Sequence, residues 1–461
     1  MRLPQLLEHH GVARNPFSEE DAQTDHVFKD FCIGSTYHPS WDKVYGDPGD
    51  PATSVVFGEK GSGKTAIRLQ IAKHLRQYNQ DHPGRRALVI HYDDFNTFLG
   101  NFATRLGRKG KRADKVLGEW KLWDHMDSIL SLGVTGIIDR ILGVKNPSAA
   151  VEGDLSPNDV HSLDRHQARD LLLLATCYDQ STAEPFETRW KKLCKLLRFS
   201  TWTSWLDFVG GVLGSIALVG ALGWTSFTQG FEWVGYWWLW LIIAVAIWAP
   251  RAWRWLLAWK RSRSILKRMR IGVREGHELR KAFMQFPRGE LAGQPLPNRL
   301  STDDRYELLT KFQGLLTTFG FTGIIVLLDR VDEPHLVNGS AERMRALIWP
   351  ILDNKFLKHG GLGIKLMLPI ELTRFLERED RDFFQKARLD KQNMVSSFEW
   401  TGETLYDIAN ARLQACANAG AKPTLKNFFE EELSQRQLID SLRQLRTPRH
   451  LFKFLHRLLV T

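Results

Sequence analysis

The sequence predicts an α/β protein built on a parallel sheet, interrupted by a two-helix apolar hairpin and closed by C-terminal helices. Three features carry that expectation. A β-rich run at residues 52–57 leads through a glycine-rich turn into a helically periodic stretch at 66–75. A continuous apolar run at 322–328 ends in Asp329 and reads as an internal strand buried on both faces. Between them lie two uncharged apolar segments, 208–224 and 233–249.

A chain of 461 residues is long for one domain and suggests two or three structural units. With 43% hydrophobic and 25% charged residues it has the composition of a folded globular protein, which excludes a disordered or fibrous chain. The four cysteines, Cys32, Cys177, Cys194 and Cys416, show neither a C-x-x-C pair nor zinc-finger spacing. A disulfide framework and a structural zinc are therefore not expected, and a reducing compartment fits. His9, His10, His125, His161 and His166 are dispersed, without metal-ligand spacing. The N-terminus has no apolar run behind its charge, so no secretory signal is expected.

In chain order, residues 1–100 hold a lead-in, the 52–57 strand, the glycine turn, its helix, and a second strand at 87–92 that ends at Asp93 and Asp94. Residues 101–200 read as a helical insert. Its basic run, Arg105, Arg108, Lys109, Lys111, Arg112 and Lys115, is expected to be a solvated loop. Residues 201–275 contain the apolar hairpin and a basic segment. Residues 276–399 return through an amphipathic helix at 305–319, the strand ending at Asp329, and a further strand at 364–369. Residues 400–461 show helical patterns at 403–417, 428–444 and 448–460, expected to form a lid.

The glycine turn reads Gly58-Glu59-Lys60-Gly61-Ser62-Gly63-Lys64-Thr65, a match to G-x-x-x-x-G-K-[ST]. Each residue type has a chemical reason. Glycines let backbone N–H groups wrap phosphate oxygens, Lys64 reaches the β- and γ-phosphates, and the Thr65 hydroxyl ligates Mg2+. A strand before and a helix after is the required setting, and the helix N-terminus itself favours anions. The metal needs a carboxylate from another strand, and Asp329 supplies it opposite Thr65. Just beyond, Asp332 and Glu333 are the candidates to orient an attacking water.

The net charge of +11 invites a nucleic-acid partner, yet it is concentrated in one stretch. Between Arg189 and Arg274 there are fourteen basic and two acidic residues, so the rest of the chain is nearly neutral and nucleic acid is not favoured. The same stretch holds eleven of the seventeen tryptophans, from Trp202 to Trp259. As helices the two apolar segments reach about 26 Å each, close to a bilayer core of about 30 Å. Tryptophans at both ends suit a lipid interface, and Pro250 marks a break or kink after the second segment. The linker at 225–232 has no Lys or Arg whereas both outer flanks are rich in them, so both long arms are expected in the cytoplasm. Gly210 and Gly214 form a G-x-x-x-G pair that would let the helices approach closely. The competing expectation, a hairpin buried in a soluble core, accounts for the apolarity but not for the tryptophan and charge placement.

Together these residues resemble the KAP group of P-loop NTPases, a membrane-associated branch near the AAA+ and STAND ATPases. In that family a transmembrane hairpin is inserted between the phosphate loop and the acidic strand, as the apolar pair here lies between Lys64 and Asp329. The resemblance implies a P-loop NTPase fold with ATP and Mg2+ as cofactors, held in the cell inner membrane by two helices, with its ATPase domain cytoplasmic. Arg14-Asn15-Pro16-Phe17, followed by Asp25 and Phe28, is similar to the segment that packs near adenine, which implies Asn15 and Phe17 as nucleotide contacts. The stretch 445–451 resembles the sensor-2 element, which implies that Arg449 approaches the γ-phosphate from a helical lid.

Two positions depart from the family pattern. Arg330 follows Asp329 where the acidic strand usually ends in paired aspartates, which leaves Asp332 or Glu333 as the catalytic carboxylate. The 364–369 strand is followed by no Asn or Thr sensor, leaving Glu371 or Arg374 for that part. Asn354-Lys355-Phe356-Leu357 lacks the acid of a guanine-reading N-K-x-D, which favours adenine. The family further implies membrane lipids as partners, a homo-oligomer with an arginine supplied in trans (Arg374, Arg378 or Arg381), a protein effector, and a nucleotide-driven switch linked in prokaryotes to phage exclusion and defence. Two rivals stand beside it. One is a nucleic-acid-dependent ATPase resembling origin-recognition proteins, using the 105–115 run; the other is a non-hydrolysing, nucleotide-binding membrane scaffold.

Overall fold

The four apolar runs expected to be strands all enter one sheet. In a computed structural model they form β1 (Ser54–Gly58), β2 (Arg86–Tyr92), β4 (Phe321–Leu328) and β5 (Leu362–Pro369), with short edge strands β3 (Val151–Glu152) and β6 (Met394–Val395). The order across the sheet is β3-β2-β4-β5-β1-β6, parallel except where β3 runs against β2. β1 and β5 are buried along their whole length, as expected of parallel strands covered on both faces. Even Lys365, mid-strand in β5, is 2% exposed. Its Nζ donates to the carbonyls of Tyr45 (2.9 Å) and Ala52 (2.8 Å), and burial pulls its pKa down to about 8. The structure describes residues 3–107, 110, 112–229, 237–287, 289–352, 355–387, 389, 394–430 and 432–460. Arg108, Lys109 and Lys111 of the basic run, Glu232 and Trp233 at the hairpin tip, and Asn354 lie outside the described residues.

The chain falls into two compact units. The first comprises Met1–Leu122, Ala150–Gly153 and Gly320–Thr461 and contains the whole sheet; the second comprises Trp123–Ala149 and Asp154–Phe319 and contains the apolar hairpin. The registers bring the C-terminal ends of the parallel strands to one edge, with Gly58 beside Pro369 and Leu328 beside Tyr92. In α/β sheets that edge is where ligands bind. The C-terminal helices share one core with the N-terminal segment and the Lys64–Asp81 helix: Leu7, Val12, Ile67, Ile71, Leu405 and Leu451 all belong to it. The helix expected at 428–444 starts later, at Gln435. There Ser434 accepts from the Gln437 N–H in a capping box that sets the start, while Leu425–Phe428 forms only a 3-10 turn.

In the second unit two helices, Leu206–Gln229 and Trp237–Arg268, are long and apolar enough to cross a membrane. Their lengths of about 36 and 48 Å exceed the shorter spans read from the sequence. Only 11% and 6% of their apolar windows are buried, so these helices are exposed within this chain and do not form a buried core of the second unit. The second helix does not end at Pro250 but continues to Arg268. Beyond the proline it is held by packing of a face that buries Ala258, Ser262 and Ile265. The close approach of the pair uses a register one residue from the expected one. A Cβ on Gly211 would meet the Trp248 ring at 3.3 Å and one on Gly214 would meet Ile247 at 2.8 Å, whereas Gly210 faces open space. Trp248 Nε1 donates to Ser215 Oγ at 3.1 Å across the same seam.

Several of the basic residues flanking the hairpin have internal partners. Arg189, 1% exposed, pairs with Asp139 and Asp179, both at 2.9 Å. Arg270 pairs with Asp124 at 2.6 Å, and Arg254 pairs with Asp207 while donating to the Met284 and Phe286 carbonyls. Arg274 donates to the carbonyls of Ala175, Thr176 and Asp179, and burial pulls its pKa down to about 10. Lys195, Arg198, Lys260, Arg263 and Lys267 remain exposed.

Candidate functional site

The glycine turn carries the chain from β1 into the Lys64–Asp81 helix. Gly61 and Gly63 take φ of 89° and 94°, a region that side chains resist. Gly61 is also where another element comes closest, since a Cβ there would lie 2.5 Å from Arg449 Cβ. Trp400 braces the turn by donating from Nε1 to the Ser62 carbonyl at 2.7 Å. Lys64 Nζ donates to the carbonyls of Gly58 (2.7 Å) and Glu59 (2.9 Å). Burial lowers the Lys64 ammonium from its ordinary value, opposed by Asp329, Asp332 and Glu371.

Asp329 follows β4 and meets the turn across 264 residues of sequence: Thr65 Oγ1 donates to Asp329 Oδ2 at 3.0 Å. The other oxygen, Oδ1, accepts from the Arg330 N–H at 2.9 Å. Arg68, one helical turn beyond Lys64, stands between two acids. Its Nε lies 3.4 Å from Asp329 Oδ2, and its Nη1 pairs with Asp93 at the end of β2. Burial pushes the Asp329 carboxyl above its ordinary value, opposed first by Arg68, then by the Arg330 N–H, Thr65 and Lys64.

A cavity of about 370 Å³ opens at this edge, within the roughly 300–1,000 Å³ of small-molecule sites. Its lining combines a polar set from the turn and the strand ends with apolar Phe28, Ile408, Ala411 and Phe452. Of the residues expected from the sequence, Lys60, Gly61, Gly63, Lys64, Thr65, Asp329, Asp332, Glu333 and Arg449 line it. Gly58, Glu59 and Ser62 shape the turn without lining the cavity: Gly58 ends β1, Glu59 is exposed, and Ser62 is buried.

Asn15 and Phe17 do not reach the cavity either. Asn15 Nδ2 meets His456 Nδ1 at 2.9 Å, its Oδ1 accepts from the Phe17 N–H, and Phe17 is buried with its ring 6.1 Å from that of Phe452. They stand one layer behind the wall, because the segment turns there to let Arg412 donate to the Pro16 carbonyl (2.7 Å) and pair with Asp25 (2.6 Å). Asp25 and Phe28 from the same segment do line the cavity.

Two arginines on the cavity wall are loosely held. Arg449 Nε lies 3.7 Å from Glu20, and Arg330 Nη1 lies 3.6 Å from Glu333. Arg330 sits at φ 60°, a conformation costing a non-glycine residue on the order of 1 kcal/mol. Burial raises the Glu333 carboxyl above its ordinary value, opposed by Arg330 and reinforced by Asp332, Asp329 and Asp21. Glu371 also lines the cavity, whereas Arg374 pairs with Glu342 at 2.9 Å, and Arg378 and Arg381 are exposed.

The Thr65 hydroxyl and the Asp329 carboxylate are hard oxygen donors side by side, the kind of pair that could contribute ligands to a divalent cation. Among the described residues no group of three or more His, Cys, Asp or Glu could hold an ion alone. Compared with family models, curated proteins and solved structures, the chain matches none. Sequence reasoning missed Arg68, Asp93 and Trp400 as site residues. The only signal for Arg68 is its place four residues after Lys64, on the same helix face.

Proposed function

We propose that this chain is a membrane-anchored, Mg2+-dependent P-loop ATPase of the KAP type that works as a nucleotide-driven switch. The reading rests on the 3.0 Å contact between Thr65 and Asp329, which joins two distant stretches of sequence into one pair of metal-side oxygens beside Lys64. Lys64 and the turn would hold the β- and γ-phosphates, and Thr65 and Asp329 would hold Mg2+. When bound, that ion neutralises charge on the phosphate oxygens. Asp332 or Glu333 would orient the water, and Arg449 would approach the terminal phosphate from the C-terminal helices. Phe28, Ile408 and Phe452 offer apolar surface for an adenine ring.

Anchorage in the inner membrane is supported by the two exposed apolar helices and by the exposed Lys195, Arg198, Lys260, Arg263 and Lys267 on their outer flanks. These charges favour both long arms in the cytoplasm. A homo-oligomer, a protein effector and a role in phage defence follow from the family resemblance alone.

The test is ATP binding and hydrolysis by the intact chain in lipid nanodiscs. With Mg2+ the chain should hydrolyse ATP, and Lys64→Ala should lose binding and turnover together. Equal ATP binding by Lys64→Ala and the unaltered chain overturns the assignment. Binding without any turnover selects the non-hydrolysing scaffold, a reading that Arg330 in place of a second aspartate favours.

A further inference from the structure

Arg330 occupies the position where a second acid would stand, and its surroundings give it a different use. Its N–H is fixed to Asp329 Oδ1 at 2.9 Å, so its side chain departs from beside the metal-side carboxylate. That side chain lines the same cavity as Lys64 and Thr65. Its Nε is buried and finds no hydrogen-bond partner among the described residues. Glu333, at 3.6 Å, is beyond hydrogen-bond distance. A guanidinium carries several N–H donors and no acceptor, and leaving the buried Nε–H unmet is costly. Carboxylate and phosphate oxygens both suit its fork, and Glu333, the carboxylate paired with it, stands too far off to be hydrogen-bonded. Arg449 repeats the pattern on another wall, with a buried Nε lacking a partner and Glu20 at 3.7 Å. The left-handed φ of Arg330 adds that the backbone is held in a costly conformation at this residue.

We propose that Arg330 binds the terminal phosphate of a nucleoside triphosphate in cis, displacing Glu333 and making the site selective for triphosphate over diphosphate. This rests on the nucleotide-binding reading of the cavity. It turns the missing second aspartate into a gained cation, so that one chain supplies two arginines, Arg330 and Arg449, to the same phosphate end.

The test is isothermal titration of the intact chain in nanodiscs with Mg2+, using ADP and an ATP analogue whose β–γ bridge is nitrogen. Arg330→Gly is the main variant, because glycine accepts the left-handed φ and removes only the side chain. The analogue should bind at least about tenfold more weakly while ADP binds as before. Arg330→Lys, which keeps the charge but not the fork, should fall between. Unchanged analogue affinity in Arg330→Gly overturns the proposal, and so does an equal loss for both ligands, which would mark a structural role. If the unaltered chain binds neither ligand, the nucleotide reading fails as well; if it binds both and Arg330→Gly does too, only the role of Arg330 fails.

Discussion

Arg68→Gln removes the cation that stands between Asp93 and Asp329. The Arg68 side chain is 3% exposed, as is that of Asp329, while that of Asp93 is 26% exposed. Deleting one member of a buried pair costs about 3–5 kcal/mol, because the remaining charge is left uncompensated. Asp93 is partly solvated and screened, so the penalty falls mainly on Asp329. At roughly 2–4 °C per kcal/mol for a domain of this size, the melting transition of the sheet unit should fall by about 6–20 °C. Scanning calorimetry on the intact chain without nucleotide or Mg2+ reads this directly.

Burial holds the Asp329 carboxyl above its ordinary value, so it favours folding only while protonated and costs stability as pH rises through its folded pKa. Removing Arg68 takes away the strongest opposing charge and raises that pKa further. The deficit of Arg68→Gln should therefore grow as pH rises and shrink as pH falls. Adding Asp329→Asn should recover about half of the loss or more, since the stranded charge is gone. A melting temperature within about 2 °C of the parent near pH 8, or a deficit independent of pH, would refute the idea that Arg68 neutralises Asp329.

Replacing residues 208–249 by a short linker should move the protein to the soluble fraction with nucleotide binding intact; continued pelleting with membranes would place the anchor elsewhere. Arg449→Ala should lower ATP turnover more than ATP affinity, read by steady-state hydrolysis beside titration. An unaltered rate would remove Arg449 from the site.

Much of the sheet and the polar half of the cavity could be read from local sequence. Each rests on patterns that neighbours in the chain supply: the strand, turn and helix around Lys64, and an apolar run ending at Asp329. The rest depends on partners far apart in sequence. Arg68 looks like an ordinary helix-surface arginine until β2 and β4 bring Asp93 and Asp329 to it. Arg189, Arg270 and Arg274 read as membrane-flanking charge, yet they meet Asp139, Asp124 and the carbonyls of residues 175, 176 and 179 inside the second unit. A count of local charge cannot see such pairing. Asn15 and Phe17 come from the right segment, but Arg412 and Asp25 fix its path so that they fall behind the wall. The hairpin seam slipped from Gly210 to Gly211 because which glycine faces the partner depends on helix rotation, which spacing alone leaves open.

We propose that the turn at Lys64 and the end of β4 form one metal–triphosphate site, although the hairpin separates them in sequence. Electron–nuclear double resonance on the intact chain, with Mn2+ in place of Mg2+ and ATP present, reads whether metal and phosphate meet there. A single Mn2+ retained by the chain should show phosphorus couplings, and Thr65→Ala and Asp329→Ala should each lose them. Bound Mn2+ without phosphorus coupling, or coupling that survives both substitutions, would contradict the proposal.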